Sequence, residues 1–121
     1  MRALVVDDSK AIRLILGRYL KDAGFEVTYA GDGQEALDQL SRGLQLDLML
    51  VDWNMPVMNG LELLRAVRAN VLLSRVKIMM VTTETALASI SQALETGANE
   101  YVMKPFNREV LYEKLALLGF D

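Results

Sequence analysis

Five short apolar segments alternate along the chain with five segments that repeat apolar residues at helical spacing. We predict strands at residues 3–6, 26–30, 47–51, 76–81 and 100–103. The third is apolar almost throughout, which is typical of a strand covered on both faces. Because strands and helices alternate through short loops, the pattern predicts right-handed βαβ units and a parallel sheet with helices on both faces.

The number of βα units limits the choice among parallel folds. An eight-fold barrel needs about twice the length of this chain, which has 121 residues. The pattern instead favours an α/β fold with a doubly wound, five-stranded parallel sheet of the flavodoxin-like type, in the strand order 2-1-3-4-5. This length is typical of one domain, so we expect residues 1–121 to form a single unit.

The ends of the predicted helices carry residues that favour helix caps. Ser9 precedes the first helix, and its side chain can accept a hydrogen bond from the first helical turn. The last helix follows Asn107. Gly24 suits a left-handed stop after the first helix. Spacings of three and four predict the buried face of that helix: Ile12, Ile15, Leu16, Tyr19, Leu20 and Ala23.

Composition excludes several kinds of chemistry. Without cysteine or histidine, the chain has no disulfide, thiolate or imidazole with which to bind zinc or abstract a proton. A net charge of −3 without a basic run argues against a nucleic-acid partner. The apolar runs are too short for membrane insertion, and the chain begins with a strand rather than a signal peptide. We therefore expect a cytoplasmic location.

Polar side chains follow four of the predicted strands. In a doubly wound sheet, ligands bind beyond the carboxyl ends of the strands, where the strand order reverses. The residues at these ends are Asp7 and Asp8, Asp52, Thr82 and Thr83, and Lys104. Carboxylates, hydroxyls and an ammonium group therefore converge on one edge of the predicted sheet.

This set of groups suits phosphoryl transfer. Three close carboxylates repel one another unless one is protonated or a divalent cation lies among them. Their oxygens suit Mg²⁺, which takes few carboxylates and keeps several waters. Lys104 and Thr82 add a positive charge and a hydroxyl donor for a transferring phosphoryl group. Asp52, on the central strand, is best placed to act as the nucleophile.

Each of these residues also has a simpler interpretation when it is taken alone. Asp7 and Asp8 precede a helix, where aspartates are common as caps and as partners of the helix dipole. Thr82 is a β-branched residue at a strand end, and Lys104 alone reads as a solvated surface lysine. Their joint placement at the ends of four strands favours a functional site.

Six stretches of the chain carry a resemblance to a known family: Val5-Val6-Asp7-Asp8-Ser9, Val51-Asp52-Trp53-Asn54-Met55-Pro56, Gly60, Met80-Val81-Thr82-Thr83-Glu84, Gly97-Ala98 and Lys104-Pro105-Phe106. They resemble the receiver domain of bacterial two-component response regulators over nearly the whole chain. Within that family, the segment from Asp52 to Pro56, with Thr82, Glu84 and Tyr101, is most similar to chemotaxis regulators of the CheY type.

The resemblance implies roles for individual residues. Asp52 would accept a phosphoryl group from a phosphohistidine on a sensor histidine kinase. Mg²⁺ would be bound directly by Asp8, mostly through water by Asp7, and by the Asp52 carboxylate and the Asn54 backbone carbonyl. Lys104 and Thr82 would hold phosphate oxygens.

The resemblance also implies a switch and its partners. Thr82 would move toward the phosphate and Tyr101 would turn inward, which would change the face formed by the fourth helix, fifth strand and fifth helix and used to bind an output protein. Asn54, Thr83 and Glu84 would tune the rate at which the domain removes its own phosphate. The unphosphorylated protein would be a monomer, and its activities would be phosphotransfer and autodephosphorylation rather than metabolic catalysis.

Three alternatives remain beside a stand-alone, chemotaxis-like receiver. The chain could be a phosphate sink or a phosphorelay intermediate of another two-component system. The same groups could serve a small aspartyl phosphohydrolase, although the sequence has no insertion to form a substrate cap. A flavin carrier is disfavoured, because Asp7 and Asp8 in the first loop would repel the flavin phosphate.

Overall fold

The computed structural model describes residues 1–83 and 87–120. Its strands are β1 (Arg2–Val6), β2 (Glu26–Ala30), β3 (Leu48–Asp52), β4 (Lys77–Thr82) and β5 (Glu100–Met103). They form one parallel sheet in the order β2-β1-β3-β4-β5. The predicted doubly wound, flavodoxin-like fold and its strand order are therefore confirmed.

Five α-helices of the described residues alternate with these strands: α1 (Lys10–Asp22), α2 (Gly33–Ser41), α3 (Gly60–Arg68), α4 (Leu87–Thr96) and α5 (Arg108–Leu117). The predicted Ser9 cap is confirmed, since Ser9 Oγ accepts the Ile12 amide at 3.3 Å. The structure adds a cap at the last helix, where Asn107 Oδ1 accepts the Val110 amide at 3.0 Å. Gly24 has a φ of 98°, as a left-handed helix stop requires. None of the helices in this part of the chain has the length and hydropathy to cross a membrane.

The sheet separates two apolar cores, because successive residues of a strand point to opposite faces. Leu4, Val6 and Met80 pack beneath the side covered by α2, α3 and α4. Val5 and Leu50 pack beneath the side covered by α1 and α5. Full burial of each such side chain stabilises the fold by about 1.5–3 kcal/mol. The two cores hold the strand ends, and the polar residues on them, in fixed relative positions.

The buried face of α1 differs from the prediction at two positions. Ile15 is 48% exposed and Ala23 is also exposed, whereas Gly17 is buried. The reason is the Tyr29 side chain, which occupies the space beside Gly17; a Cβ atom there would lie 2.1 Å from the tyrosine hydroxyl oxygen. Contact with Tyr29 turns the glycine side of α1, rather than Ile15, toward the sheet.

Two strands begin and end one residue later than predicted. The backbone pairing of β3 with β4 extends to Asp52, which lies opposite Val81. The pairing of β4 with β5 extends to Thr82, opposite Met103. Polar side chains therefore stand on the last residues of these strands, where the sheet ladder fixes their backbone.

Gly60 allows the start of α3 to pack directly against the end of β3. Its amide donates to the Trp53 carbonyl oxygen at 3.0 Å. A Cβ atom at this position would lie 2.5 Å from the Asp52 carbonyl oxygen and 2.9 Å from the Trp53 Cα atom. Both neighbours are backbone atoms and cannot move aside without displacing Asp52.

We therefore predict that Gly60→Ala lowers the free energy of unfolding by about 1–3 kcal/mol, as expected for overpacking. Gly31→Ala is the matched control, since a Cβ atom there meets its nearest neighbours at 3.4 Å. Urea unfolding of both variants measures the difference. A Gly60→Ala protein as stable as the Gly31→Ala protein would contradict this account of the packing.

Candidate functional site

The carboxyl edge of the sheet brings the predicted site residues together. Carboxylate oxygens of Asp7, Asp8 and Asp52 all lie within 4.8 Å of one another. Lys104 Nζ lies 3.3 Å from Asp7 Oδ2 and 3.3 Å from Asp52 Oδ1. Thr82 ends the strand next to Asp52 and is 4% exposed. The structure thus places three acids, one ammonium group and one hydroxyl-bearing residue at a single edge.

The backbone amide and both carboxylate oxygens of Asp7 have hydrogen-bond partners. Its amide donates to the Ala30 carbonyl oxygen at 3.1 Å, and its Oδ1 accepts the Ser9 amide at 2.9 Å. With Oδ2 bound by Lys104, both oxygens of this 1% exposed carboxylate have partners. Asp8 is exposed, and its carboxylate forms no hydrogen bond within the described residues. The two neighbouring acids therefore differ: one is fixed and one is open to a ligand.

The backbone aims Lys104 at the acids. Its amide donates to the Thr82 carbonyl oxygen at 2.8 Å, which extends the pairing between the ends of β4 and β5. The Lys104–Pro105 peptide bond is cis. The Lys104 side chain is 22% exposed, and its ammonium group reaches the buried Asp7 and Asp52 carboxylates from the solvent side.

The electrostatics of Asp52 reflect burial first and neighbouring charges second. Burial raises the pKa of the Asp52 carboxyl above its usual value, and the nearby Asp7 carboxylate raises that pKa further. The ammonium of Lys104 and a hydrogen bond from the Asn54 backbone amide oppose the rise. One ammonium group does not balance three acids, and a divalent cation bound by oxygen ligands would supply the missing charge. The donor set therefore fits Mg²⁺.

The residues predicted to switch or to tune the site lie around it. Tyr101, on β5, is half-buried, and Asn54 and Thr83 are exposed beside the acids. Glu84, predicted to affect dephosphorylation, lies outside the described residues. A small apolar recess lies beneath α4, and its lining includes Trp53, Met80, Thr82, Ile90, Ala93 and Tyr101.

The loop between β3 and α3 contains a left-handed valine. Val57 has a φ of 69° and is 82% exposed. The Met58 amide donates to the Pro56 carbonyl oxygen at 2.7 Å, which closes a three-residue turn around it. A positive φ is a true outlier for a β-branched residue, and this kind of γ-turn is rare and strained. The strain lies five residues from Asp52 along the chain.

Sequence reasoning missed one charged contact at this edge. Arg13 Nη1 lies 2.6 Å from the Asp7 carbonyl oxygen. The signal was present, because Arg13 is only four residues after the Ser9 cap. The amino end of a helix disfavours a cation, so an arginine there indicates a nearby acceptor.

Comparison with known proteins bears on the whole chain. Residues 3–116 match a family model described as Response regulator receiver domain. The chain is 45% identical over 116 residues to the Chemotaxis protein CheY of Pseudomonas aeruginosa, with 95% of this chain and 93% of that protein covered. It is 42% identical over 119 residues to the Chemotaxis protein CheY1 of Helicobacter pylori, covering 98% and 96% of the two chains.

A solved structure agrees with these sequence matches. The chemotaxis response regulator CheY4 of Vibrio cholerae superposes on this chain with a TM-score of 0.89 at 39% sequence identity. The alignment covers 97% of each chain. Sequence and backbone therefore point to the same group of proteins.

The left-handed valine generates a stability prediction. Val57→Asn should raise the free energy of unfolding by about 1 kcal/mol, because asparagine tolerates a positive φ better than a β-branched residue does. Val71→Asn is a matched control, since that valine is also 82% exposed but has no positive φ; we expect a change within about 0.5 kcal/mol. Equal effects of the two substitutions in urea unfolding would argue against strain at Val57.

The buried acid generates a second prediction. The raised pKa of Asp52 means that the native state holds a proton there more tightly than the unfolded chain, so the free energy of unfolding falls as pH rises between the two pKa values. In EDTA at neutral pH, Asp52→Asn should therefore raise Tm by several degrees. This gain should shrink as the pH is lowered toward that interval.

The exposed Glu113 on α5 provides a matched control, Glu113→Gln, which should leave Tm nearly unchanged. Thermal unfolding of the three proteins across a pH series gives the comparison. A lower Tm for Asp52→Asn at neutral pH would show that the ionised carboxylate is not destabilising.

Proposed function

The chain belongs to the response regulator receiver domain family, and from that premise we propose that it is a phosphorylation switch whose acceptor is Asp52. One observation carries the proposal: the carboxylates of Asp7, Asp8 and Asp52 lie within 4.8 Å of one another, and Lys104 Nζ lies 3.3 Å from two of them. Within residues 1–121, one receiver domain accepts the signal and passes it on.

The reaction we propose uses the Asp52 carboxylate as a nucleophile. One of its oxygens attacks the phosphorus of a phosphohistidine on a sensor histidine kinase. The phosphorus–nitrogen bond breaks, the histidine leaves, and Asp52 becomes an acyl phosphate. Lys104, already beside Asp52, and Thr82 at the end of β4 then hold the phosphate oxygens.

The arrangement of oxygens supports the proposed metal ligands. Asp8 is exposed and available as a direct ligand, while the occupied oxygens of Asp7 favour an indirect contact through water. The Asp52 carboxylate and the Asn54 backbone carbonyl would complete the protein ligands. Mg²⁺ held there would supply positive charge to neutralise a transferring phosphoryl group. These protein residues would set the position of the ion.

The switch we propose connects Asp52 with the surface formed by α4, β5 and α5. Thr82 lines both the acidic site and the recess that contains Tyr101. The Tyr101 ring packs beneath Lys114 Nζ at 4.7 Å, and this ammonium also pairs with Glu100 at 3.2 Å. Movement of Thr82 toward the phosphate would let Tyr101 turn inward, and the change in these groups alters the surface that binds an output protein.

The lifetime of the acyl phosphate is proposed to depend on Asn54, Thr83 and Glu84. Asn54 and Thr83 are exposed, and they are close in sequence to Asp52 and Thr82. Their side chains would place or obstruct the attacking water. Autodephosphorylation would then end the signal without a second protein.

A chemotaxis-like output is the first choice for the downstream role. Relatives that the chain matches over nearly its full length are named chemotaxis proteins. A phosphate sink or phosphorelay intermediate uses the same chemistry without an output protein. A partner that binds only the modified, monomeric form through α4, β5 and α5 would favour the output role.

The proposal is tested by adding acetyl phosphate with Mg²⁺ and following both the intact mass and the fluorescence of Trp53, the single tryptophan of the chain. The wild type should gain the mass of one phosphoryl group, and fluorescence should change because Trp53 adjoins the acceptor. Asp52→Asn should do neither. Asp38→Asn, an exposed acid on α2, should behave as the wild type does. An unmodified wild-type mass and unchanged fluorescence would overturn the proposal.

A further inference from the structure

We infer that Arg13 is a positioning residue for the cation site, acting through the main chain of Asp7 rather than by touching the cation or the phosphoryl group. This inference rests on the proposed function, because it concerns how the same site is held ready. Arg13 lies in the first turns of α1, and its Nη1 atom is 2.6 Å from the Asp7 carbonyl oxygen. This short, charge-assisted hydrogen bond joins a helix to the end of β1.

The contact completes a set of restraints around the segment that carries two of the acids. On one side, the Asp7 amide donates to the Ala30 carbonyl oxygen of β2. On the other, the Ser9 amide donates to Asp7 Oδ1, and Ser9 caps α1. Arg13 donates to the Asp7 carbonyl oxygen, which lies along the chain between the Asp7 amide and the Ser9 amide. Without it, the peptide group that links Asp7 to Asp8 would lose the hydrogen bond that fixes its orientation.

Asp8 depends on that peptide group more than Asp7 does. Lys104 and Ser9 hold the Asp7 carboxylate directly. The Asp8 carboxylate is exposed and makes no hydrogen bond among the residues that the structure describes. The position of the Asp8 carboxylate therefore depends on the backbone of Asp8. The peptide group on the amino side of Asp8 is the one whose carbonyl oxygen accepts the hydrogen bond from Arg13.

The Arg13 guanidinium lies beside the turn that follows β2. Its Nη1 atom and Glu35 Oε2 both lie 3.4 Å from the point where a Cβ atom of Gly31 would stand. Glu35 Oε2 also accepts the Gly31 amide at 3.0 Å. The guanidinium thus lies between the ends of β1 and β2, where its hydrogen bond can restrain the backbone of Asp7.

Electrostatics and positioning predict opposite effects, which makes the inference testable. An arginine near the site repels a dication, so loss of its charge alone should leave Mg²⁺ binding as tight as before or tighter. Loss of a positioning contact should weaken binding, because the ligands are no longer prearranged. Arg18, on the exposed side of the same helix, offers the matched control for the charge.

The experiment is a Mg²⁺ titration of Arg13→Met and Arg18→Met, followed by Trp53 fluorescence and by calorimetry without any phosphoryl donor. We expect Arg18→Met to bind Mg²⁺ at least as tightly as the wild type, and Arg13→Met to bind it about tenfold more weakly. Arg13→Lys, which keeps the charge and one donor group, should fall between. Thermal unfolding in EDTA establishes that each variant is folded at the temperature of the titration.

The possible results separate the inference from the proposed function. If Arg13→Met binds Mg²⁺ as Arg18→Met does, the positioning role is overturned while the site itself stands. If Arg13→Met does not fold, a wild-type affinity in folded Arg13→Lys overturns the role, and an intermediate affinity supports it. If the wild type shows no saturable response to Mg²⁺, the proposed function fails with it.

Discussion

Mutual repulsion among three acids is the constraint on which the rest of the structure depends. Carboxylates of Asp7, Asp8 and Asp52 within 4.8 Å of one another are unfavourable unless positive charge is brought to them. Lys104 supplies part of it and lowers the pKa of Asp52, whereas burial and then the Asp7 carboxylate raise that pKa. An apolar residue at any of these positions would relieve the repulsion. It would also remove the negative charge that, in the proposed function, a cation would neutralise.

The parallel sheet explains why such a site can be built at all. Its cores lie on either side of the strands, and its carboxyl edge is left to polar residues. Because β3 stays paired with β4 through Asp52, and β4 stays paired with β5 through Thr82, these residues have the positional precision of a strand rather than a loop. The apolar residues of each strand thus stabilise the fold, and the polar residues stand at its carboxyl end. The packed apolar part provides the rigidity that fixes the positions of these polar residues.

The fold and the central acids were predictable from sequence, because both follow from local patterns. Alternating strands and helices gave the topology, and the topology placed Asp7, Asp52 and Lys104 on one edge. The differences arise from contacts between distant segments. The Tyr29 side chain packs beside Gly17, so the buried face of α1 includes Gly17 rather than Ile15. The sequence of α1 alone does not indicate this contact, because Tyr29 lies on β2. Arg13 reaches the Asp7 carbonyl, and the turn at Val57 runs against the preference of its own residue type.

In the proposed switch, the packing of the recess beneath α4 would set how strongly the domain responds, and the acids would set whether it is phosphorylated. Among the described side chains of α4, Ala93 is the one that is fully buried, and Ile90 only partly covers the recess. Rearranging this helix disturbs little packed apolar surface, so two arrangements can differ by only a few kcal/mol, within reach of two new charge-assisted hydrogen bonds. Substitutions that change the apolar volume at Ile90 or Ala93 would therefore shift the balance between the resting and active forms without changing the acids.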